Sequence, residues 1–341
     1  MIASQTTSMT ALVADIGGTW ARFALARRPN DGDAAPTLHA EARVPVAAHA
    51  SLIAAAQHYL AQRDPALPAP TQAAFAVAGR VDGDTAAMTN HPWRIVAGEC
   101  REALGLAHVR LLNDFTAQAL CLPHLMATDR VPIGGPASAS LEAPEWTCAI
   151  LGPGTGLGVG ALLRRSAAPF ALASEGGHAA FAPKTARQRA LLEHLATRFP
   201  RVSYERLVSG TGLSNLHWAV ARQSGLAAPP TLAPEQVTAQ ARAGDALALD
   251  TLDVFFEVFG ALAGDLVLTF GAWDGVFLSG GLVPLLLEEL QAGPFRQAFE
   301  AKGRFSEAMA RVPVQAVLHS QPGLLGAAAL ALGGATRHAT A

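Results

Sequence analysis

Two neighbouring polar residues, Asn113 and Asp114, stand between a short apolar run and a predicted helix. The run His108–Leu112 is typical of a strand, and the pattern of Thr116–Leu122 favours a helix. In open α/β sheets, ligands bind at the carboxyl ends of strands. There an amide can hydrogen-bond a polyol, and a carboxylate can accept a proton from one of its hydroxyls. Both residue types also favour helix N-caps, and such a pair taken alone is more often a structural cap than a catalytic base.

Two glycine-rich turns could hold phosphate groups. The first, Asp15–Thr19, lies between the strand-like runs Ala11–Asp15 and Ala21–Ala26. Its glycines would let backbone N–H groups approach phosphate oxygens, and the Asp15 carboxylate could hold Mg²⁺ through water. The alternative is a plain tight hairpin with no ligand. The second turn, Gly152–Gly160, has five glycines in nine residues and is followed by a strand. A dinucleotide-binding fingerprint would need a helix there, and no GxxxxGK[ST] phosphate loop is present.

Further along the chain, Glu175 and His178 flank two glycines, and Glu205 lies near the start of a predicted short helix. Carboxylate and imidazole groups can recognise neighbouring hydroxyls. Each also has a structural alternative, since a buried His is usually satisfied within the core and a carboxylate is favoured by a helix dipole. No further residues stand at metal-ligand spacing, so we predict no metal site built from protein ligands alone.

The elements that must position these residues alternate between strands and helices. This order predicts a mostly parallel sheet covered by helices. Ser51 is a predicted N-cap, and Thr185 begins a capping-box pattern. The segment Leu247–Phe270 is apolar on all sides, which predicts a buried helix.

Composition excludes several classes of protein. The chain has 341 residues, half of them hydrophobic, with a net charge of −2, so it can bury a large core, and its length suggests about two domains. Nothing in the charge favours nucleic acid or an anionic membrane. The segment Met1–Thr10 lacks a secretion signal, and no apolar run reaches membrane-spanning length. Three distant cysteines form neither a disulfide framework nor a zinc pattern, so we expect a reduced, cytoplasmic location.

Taken together, these motifs resemble the bacterial glucokinase family of actin-like sugar kinases. The resemblance runs from about Leu12 to about Leu332 and is carried by seven segments: Leu12–Thr19, Asn113–Ala117, Gly154–Val159, Glu175–His178, Glu205–Gly210, Lys302–Phe305 and Pro322–Gly326.

The resemblance implies an α/β protein with the actin-like ATPase (ribonuclease H-like) fold, in which two α/β domains are separated by an interdomain cleft. The small domain would be residues 1–123 plus 319–341, and the large domain residues 124–318. It also implies phosphorylation of D-glucose to glucose 6-phosphate by ATP with Mg²⁺, the first step of glycolysis, in a cytoplasmic homodimer.

Position by position, the resemblance assigns roles to the residues singled out above. Asp114 is similar to the general base that faces the sugar's 6-hydroxyl. The residues that match sugar ligands are Asn113, Asp114, Glu175, His178 and Glu205. The first phosphate loop is matched by Asp15, Gly17, Gly18 and Thr19, and the second by Gly154, Thr155 and Gly156.

This chain departs from the family pattern at two positions. It has Trp20 where the family commonly has Asn, and Ala180 where the family commonly has Asp. The zinc motif of the related repressor/kinase group is absent. One open alternative is a kinase for mannose, fructose or glucosamine. Another is a non-catalytic sugar sensor, but this alternative lacks support from the sequence, because no helix-turn-helix pattern precedes Leu12. An actin-like filament or chaperone ATPase would have no sugar for Glu175, His178 and Glu205 to hold.

Overall fold

The computed structural model describes residues 9–28, 35–89, 91–136, 141–165 and 168–333. Its strands are β1 (Thr10–Ile16), β2 (Trp20–Arg27), β3 (Thr37–Pro45), β4 (Gln72–Val77), β5 (Gly79–Asp82), β6 (Thr85–Met88), β7 (Arg94–Val96), β8 (His108–Asn113), β9 (Arg130–Pro132), β10 (Glu145–Pro153), β11 (Leu157–Arg165), β12 (Phe170–Ser174), β13 (Gly275–Leu278) and β14 (Val314–Val317). Its helices are α1 (Leu52–Ala61), α2 (Ala97–Leu104), α3 (Asp114–Cys121), α4 (Ala186–Ala196), α5 (Gly210–Gln223), α6 (Pro234–Arg242), α7 (Ala246–Phe270), α8 (Leu282–Leu285), α9 (Leu287–Ala292), α10 (Phe295–Glu300), α11 (Ser306–Ala310) and α12 (Pro322–Leu332). Most of the segment in which we find no secretion signal, residues 1–8, lies outside the described residues.

The chain forms two compact units. The first comprises Met1–Ala127, Leu162–Ala173 and His319–Ala341, and the second Thr128–Ala161 and Ser174–Leu318. The segment Leu162–Ala173 groups with the first unit, whereas the division expected from the sequence places it in the large domain. The boundaries between the small and large domains expected from the sequence remain a prediction.

The main sheet of the first unit is mixed, with strand order β3-β2-β1-β4-β8. The pairs β1–β2 and β2–β3 are antiparallel, and β1–β4 and β4–β8 are parallel. The expectation of a mostly parallel sheet is therefore wrong for this unit. The physical reason is that β1, β2 and β3 follow one another through short connections, and strands joined in this way pair antiparallel.

The predicted hairpin at the first glycine turn is confirmed. Ile16 pairs with Ala21, and the Gly17 N–H donates to the Trp20 carbonyl at 2.9 Å. All of β1 is buried except Asp15, which is half-buried. A hydrophobic strand thus carries one carboxylate to its carboxyl end, where it meets the turn.

Helix α12 holds the first unit's sheet against α3. It is apolar on all sides and buried along nearly its whole length, and it packs on β1, β4 and α3. At Gly326 the two helices touch through their backbones, since a Cβ added there would lie 1.7 Å from the Ala117 carbonyl oxygen. Only glycine permits this approach.

The second unit contains most of a six-stranded sheet, order β12-β11-β10-β13-β14-β9. Strands β10, β13 and β14 run parallel, and β9 closes the edge antiparallel. The predicted buried helix is confirmed as α7, which begins after the Asp245 cap and ends at Gly271, whose φ of 66° requires glycine. Its apolar faces form the centre of this unit's core.

Candidate active site

Asn113 is both the last residue of β8 and the N-cap of α3. Its Oδ1 accepts the N–H groups of Phe115 at 2.9 Å and Thr116 at 3.3 Å, and its Nδ2 donates to the Gly79 carbonyl at 3.2 Å. The cap interpretation is therefore correct for Asn113. The side-chain oxygen Oδ1 is occupied by the N–H groups of α3, so a ligand would contact Asn113 through its side-chain nitrogen Nδ2.

Asp114 occupies the first position of α3 and is half-buried. One carboxylate oxygen, Oδ1, accepts the Phe115 N–H at 3.0 Å. A carboxylate in the first turn of a helix interacts favourably with the positive end of the helix dipole, and a carboxylate is a group that can accept a proton from a hydroxyl. Helix α3 begins two residues before the predicted start, because Asn113 itself provides the cap.

The same sheet edge carries Asp15. The strand register places Ile16 beside Val77 and Val77 beside Asn113, so β1 and β8 end on either side of β4. At a strand spacing of about 4.8 Å, the two ends are about 10 Å apart. The structure thus brings Asn113, Asp114 and the first glycine turn to one edge of the first unit.

Asp15 forms an ion pair with Arg22, whose Nη1 lies 3.3 Å from its Oδ2. The Asp15 side chain is 21 % exposed, and burial raises its pKa above the ordinary value, while the Arg22 guanidinium opposes that rise. A Cβ on Gly323, in the first turn of α12, would lie 2.8 Å from the Asp15 Cγ. Gly18 and Thr19 are exposed at the tip of the turn.

Trp20, a departure from the family pattern, packs within the sheet. The Arg43 guanidinium lies 4.0 Å from the centre of its ring, so β2 and β3 hold each other through a cation–π contact. Trp20 thus connects β2 to β3 beside the first glycine turn.

The second glycine turn, between β10 and β11, is closed by its own backbone. The Gly154 N–H donates to the Gly156 carbonyl at 2.8 Å, and the Gly154 carbonyl accepts the Gly210 N–H at 2.8 Å. Thr155 is exposed at the tip. The backbone of the turn after β13 approaches as well, since a Cβ on Gly280 would lie 2.7 Å from the Pro153 carbonyl oxygen.

Three polar side chains of the second unit stand in a row beside this turn. His178 Nδ1 lies 3.8 Å from Glu205 Oε1, and His178 Nε2 lies 3.9 Å from Glu175 Oε2. These separations exceed hydrogen-bond length. His178 is 59 % exposed, so it is not a satisfied core histidine. The row presents acceptors and an imidazole to solvent, which suits adjacent ligand hydroxyls.

Glu205 also supports the second glycine turn, a link that the sequence analysis missed. Its Oε2 accepts the Leu157 N–H at 2.9 Å, and a Cβ on Gly156 would lie 2.5 Å from the same oxygen. No local pattern signals this contact, because the partners lie 48 residues apart. The Asp15–Arg22 ion pair, in contrast, could have been predicted from the sequence, because the Gly-Gly turn sets a hairpin register in which the two residues stand opposite each other.

Within the described ranges, no cluster of three or more His, Cys, Asp or Glu side chains could hold a metal ion. Nor does any helix in the described ranges have the length and apolar character needed to cross a bilayer.

Comparison with known proteins places these residues in a family context. The sequence model of the glucokinase family matches residues 12–333. A glucokinase of Stenotrophomonas maltophilia strain K279a is 51 % identical over 95 % of both chains.

Solved structures agree. The structure of a glucokinase from an Antarctic psychrotroph has a TM-score of 0.84 and 34 % identity, and the match covers 94 % of this chain and 98 % of that one. A Balamuthia mandrillaris glucokinase solved in complex with glucose has a TM-score of 0.73 at 21 % identity, over 97 % of this chain and 96 % of that one; at this identity it supports the fold alone.

Proposed function

This chain belongs to the glucokinase family, and we propose that Asp114 is the general base with which it phosphorylates glucose at the 6-hydroxyl. The activity of the family is ATP-dependent phosphorylation of D-glucose to glucose 6-phosphate, and the actin-like ATPase fold expected from the sequence is confirmed. The single observation that carries the assignment of the base is the position of Asp114, at the carboxyl end of a parallel strand and in the first turn of a buried helix.

In this mechanism Asp114 accepts the proton of the sugar's 6-hydroxyl while the hydroxyl oxygen forms a bond to the γ-phosphorus of ATP. The bond between that phosphorus and the bridging oxygen breaks, and ADP leaves. Phosphoryl transfer depends mainly on positioning and on neutralisation of charge. The Asn113 cap supports this role, because it fixes the start of the helix that carries the Asp114 carboxylate.

Recognition of the sugar is assigned to Asn113, Glu175, His178 and Glu205. A polyol removed from water needs each hydroxyl paired, and an amide N–H, two carboxylates and an imidazole offer both donors and acceptors. The gaps of 3.8 and 3.9 Å on the two sides of His178 leave those groups available to ligand hydroxyls.

Gly156→Ala tests the link between the sugar row and the second glycine turn. The added methyl group would collide with Glu205 Oε2, so either the carboxylate or the turn must shift. We expect the KM for glucose to rise about tenfold with a smaller rise in the KM for ATP. Steady-state kinetics with each substrate varied in turn measures this. A wild-type KM for glucose in the folded variant would contradict the assignment of Glu205.

The phosphates of ATP are assigned to the two glycine turns. Asp15, Gly17, Gly18 and Thr19 would serve the first, and Gly154, Thr155 and Gly156 the second. Their exposed tips and small residues let backbone N–H groups reach phosphate oxygens.

Mg²⁺ fits the first turn through Asp15. Magnesium usually keeps several waters and is held by one or two carboxylates together with substrate phosphates. Asp15 supplies one half-buried carboxylate beside the turn, and its raised pKa would fall beside a cation. Bound there, Mg²⁺ would neutralise phosphate charge, and Asp15 would orient its water shell.

We also propose a cytoplasmic homodimer that performs the first step of glycolysis. Cys100, Cys121 and Cys148 are buried, and none of the three forms a disulfide, in keeping with a reducing compartment. We further propose that residues 1–123 together with 319–341 form the small functional domain and that residues 124–318 form the large one. Sedimentation or size-exclusion measurements would test the oligomeric state.

ADP release with Mg·ATP against glucose, mannose, fructose, glucosamine and N-acetylglucosamine tests the proposed function. We expect turnover with glucose to exceed turnover with the other sugars, because a site that hydrogen-bonds each hydroxyl discriminates against analogues that misplace one. Preferred turnover of another hexose would reassign Glu175, His178 and Glu205. Glucose binding without any turnover would instead indicate a sugar sensor.

A further inference from the structure

The motif Lys302–Phe305 has no role in the reaction as assigned, yet its first side chain is deeply buried. The Lys302 side chain is 3 % exposed, and its Nζ donates to the Ala261 carbonyl at 2.7 Å and to Asp265 Oδ1, both on α7. Burial lowers the pKa of Lys302 to about 8, against the opposing attraction of Asp265. The Asp265 side chain is 37 % exposed, so the pair adds little net stability, but it holds the buried lysine in one geometry.

The helix leaves room for this lysine at Gly264. A Cβ there would lie 2.4 Å from the Lys302 Cε and 2.5 Å from the Phe299 carbonyl oxygen. The lysine stem therefore packs directly on the backbone of α7, which fixes Nζ beside Asp265.

Asp265 connects Lys302 to the segment that follows His178. Lys184 Nζ lies 3.6 Å from the same Asp265 oxygen. Burial, together with the Asp265 charge, raises the pKa of Tyr204, whose hydroxyl forms a hydrogen bond with the backbone of Ala182. The Asp265 carboxylate thus links Lys302 to Lys184, which lies on the segment that follows His178.

Those two segments pair with each other. The Phe181 N–H donates to the Val202 carbonyl at 3.0 Å, and the Tyr204 N–H donates to the Ala179 carbonyl at 3.0 Å. The rings of Phe181 and Tyr204 meet edge to face, with centroids 5.8 Å apart. We call this pairing of 179–181 with 202–204 the recognition ladder. It begins immediately after His178 and ends immediately before Glu205.

We propose that Lys302 is a positioning residue for sugar recognition: through Asp265 it anchors the recognition ladder to α7 and so holds His178 and Glu205 at the spacing that the sugar requires. This inference rests on the proposed function. It assigns to the Lys302–Phe305 motif a role in the binding of sugar that requires no contact between the motif and the sugar.

Lys302→Met tests the inference, because methionine has a similar length and removes the charge without leaving a buried cation. We expect the KM for glucose to rise about tenfold, since small displacements of binding groups have large effects. We expect kcat and the KM for ATP to stay within about twofold. Hydrogen exchange at the Phe181 and Tyr204 amides, measured without ligands, should become faster.

Arg242→Met is the matched control. Arg242 also pairs with a carboxylate in the second unit, since its Nε lies 2.7 Å from Glu289 Oε1, but it contacts α9 and the Leu285 carbonyl rather than the ladder. We expect both the KM for glucose and the exchange of the ladder amides to remain at wild-type values.

A Lys302→Met protein with the wild-type KM for glucose and unchanged exchange in the ladder would overturn the inference. If that variant does not fold, the same measurements on Asp265→Asn, which weakens the same link from α7, decide the matter. Absence of glucose turnover in the wild-type protein would refute the proposed function, whereas the exchange comparison would still show whether Lys302 anchors the ladder.

Discussion

Asp114→Asn is expected to lower kcat about 10³-fold while the Kd for glucose changes only a few-fold, because the amide keeps the shape and polarity of the carboxylate but cannot accept a proton. The Asn113 cap and the buried start of α3 remain, so the side chain keeps its position. Loss of one charge from the first helical turn should reduce the free energy of unfolding by about 1 kcal/mol at most. Single-turnover kinetics and calorimetric binding of glucose separate the two effects.

Asp245→Asn is the control for this variant. Asp245 is an exposed N-cap whose side chain accepts the Ala248 N–H, and Asn caps as well as Asp does. Its kcat and glucose affinity should match the wild-type values. If Asp114→Asn kept a kcat within tenfold of the wild-type value, another group would have to be the base.

Gly326→Ala should destabilise the first unit by about 3 kcal/mol, as expected when overpacking cannot be relieved. The new methyl group would lie 1.7 Å from the Ala117 carbonyl oxygen, and both partners are helix backbone. Helices α12 and α3 must therefore separate, and α3 carries Asp114. We expect a fall in Tm of roughly 5 °C or more, together with a fall in kcat of up to about 10²-fold in the remaining folded protein.

Gly98→Ala provides the comparison within the same unit. Gly98 lies in the first turn of α2, and no atom stands within 4 Å of an added Cβ. Alanine there should raise the free energy of unfolding by about 0.5 kcal/mol. A Gly326→Ala protein with the wild-type Tm and kcat would show that the α3–α12 contact does not position the base.

The features that could be predicted from the sequence depend on neighbours along the chain. The hairpin at Asp15–Thr19, the Ser51 and Thr185 caps and the buried helix α7 each follow from a local pattern, and each is confirmed. The α3 cap and the strand before it were likewise local.

The features that escaped prediction depend on residues far apart in sequence or on very short elements. The small sheet β5-β6-β7 has strands of only three or four residues, too few for a periodic pattern to develop. The support of the second glycine turn by Glu205 joins segments 48 residues apart. The close packing at Gly264 and Gly326 could not be predicted either, because the sequence around a glycine does not show which distant backbone or side chain packs against it.

Packing of α12 against the first unit also bears on how the protein is made. Arg110 lies on β8, and its guanidinium donates to the carbonyl of Leu330 on α12, 220 residues further along the chain. During synthesis, β1, β4 and β8 emerge from the ribosome long before the helix that covers them, whereas the segments of the second unit between Ser174 and Leu318 are consecutive. Since domains fold largely as units while the chain grows, the first unit is expected to stay open to proteases and chaperones until its distant helix arrives. Translational pausing just before α12 would therefore lengthen the exposure of the half of the protein that carries Asp114.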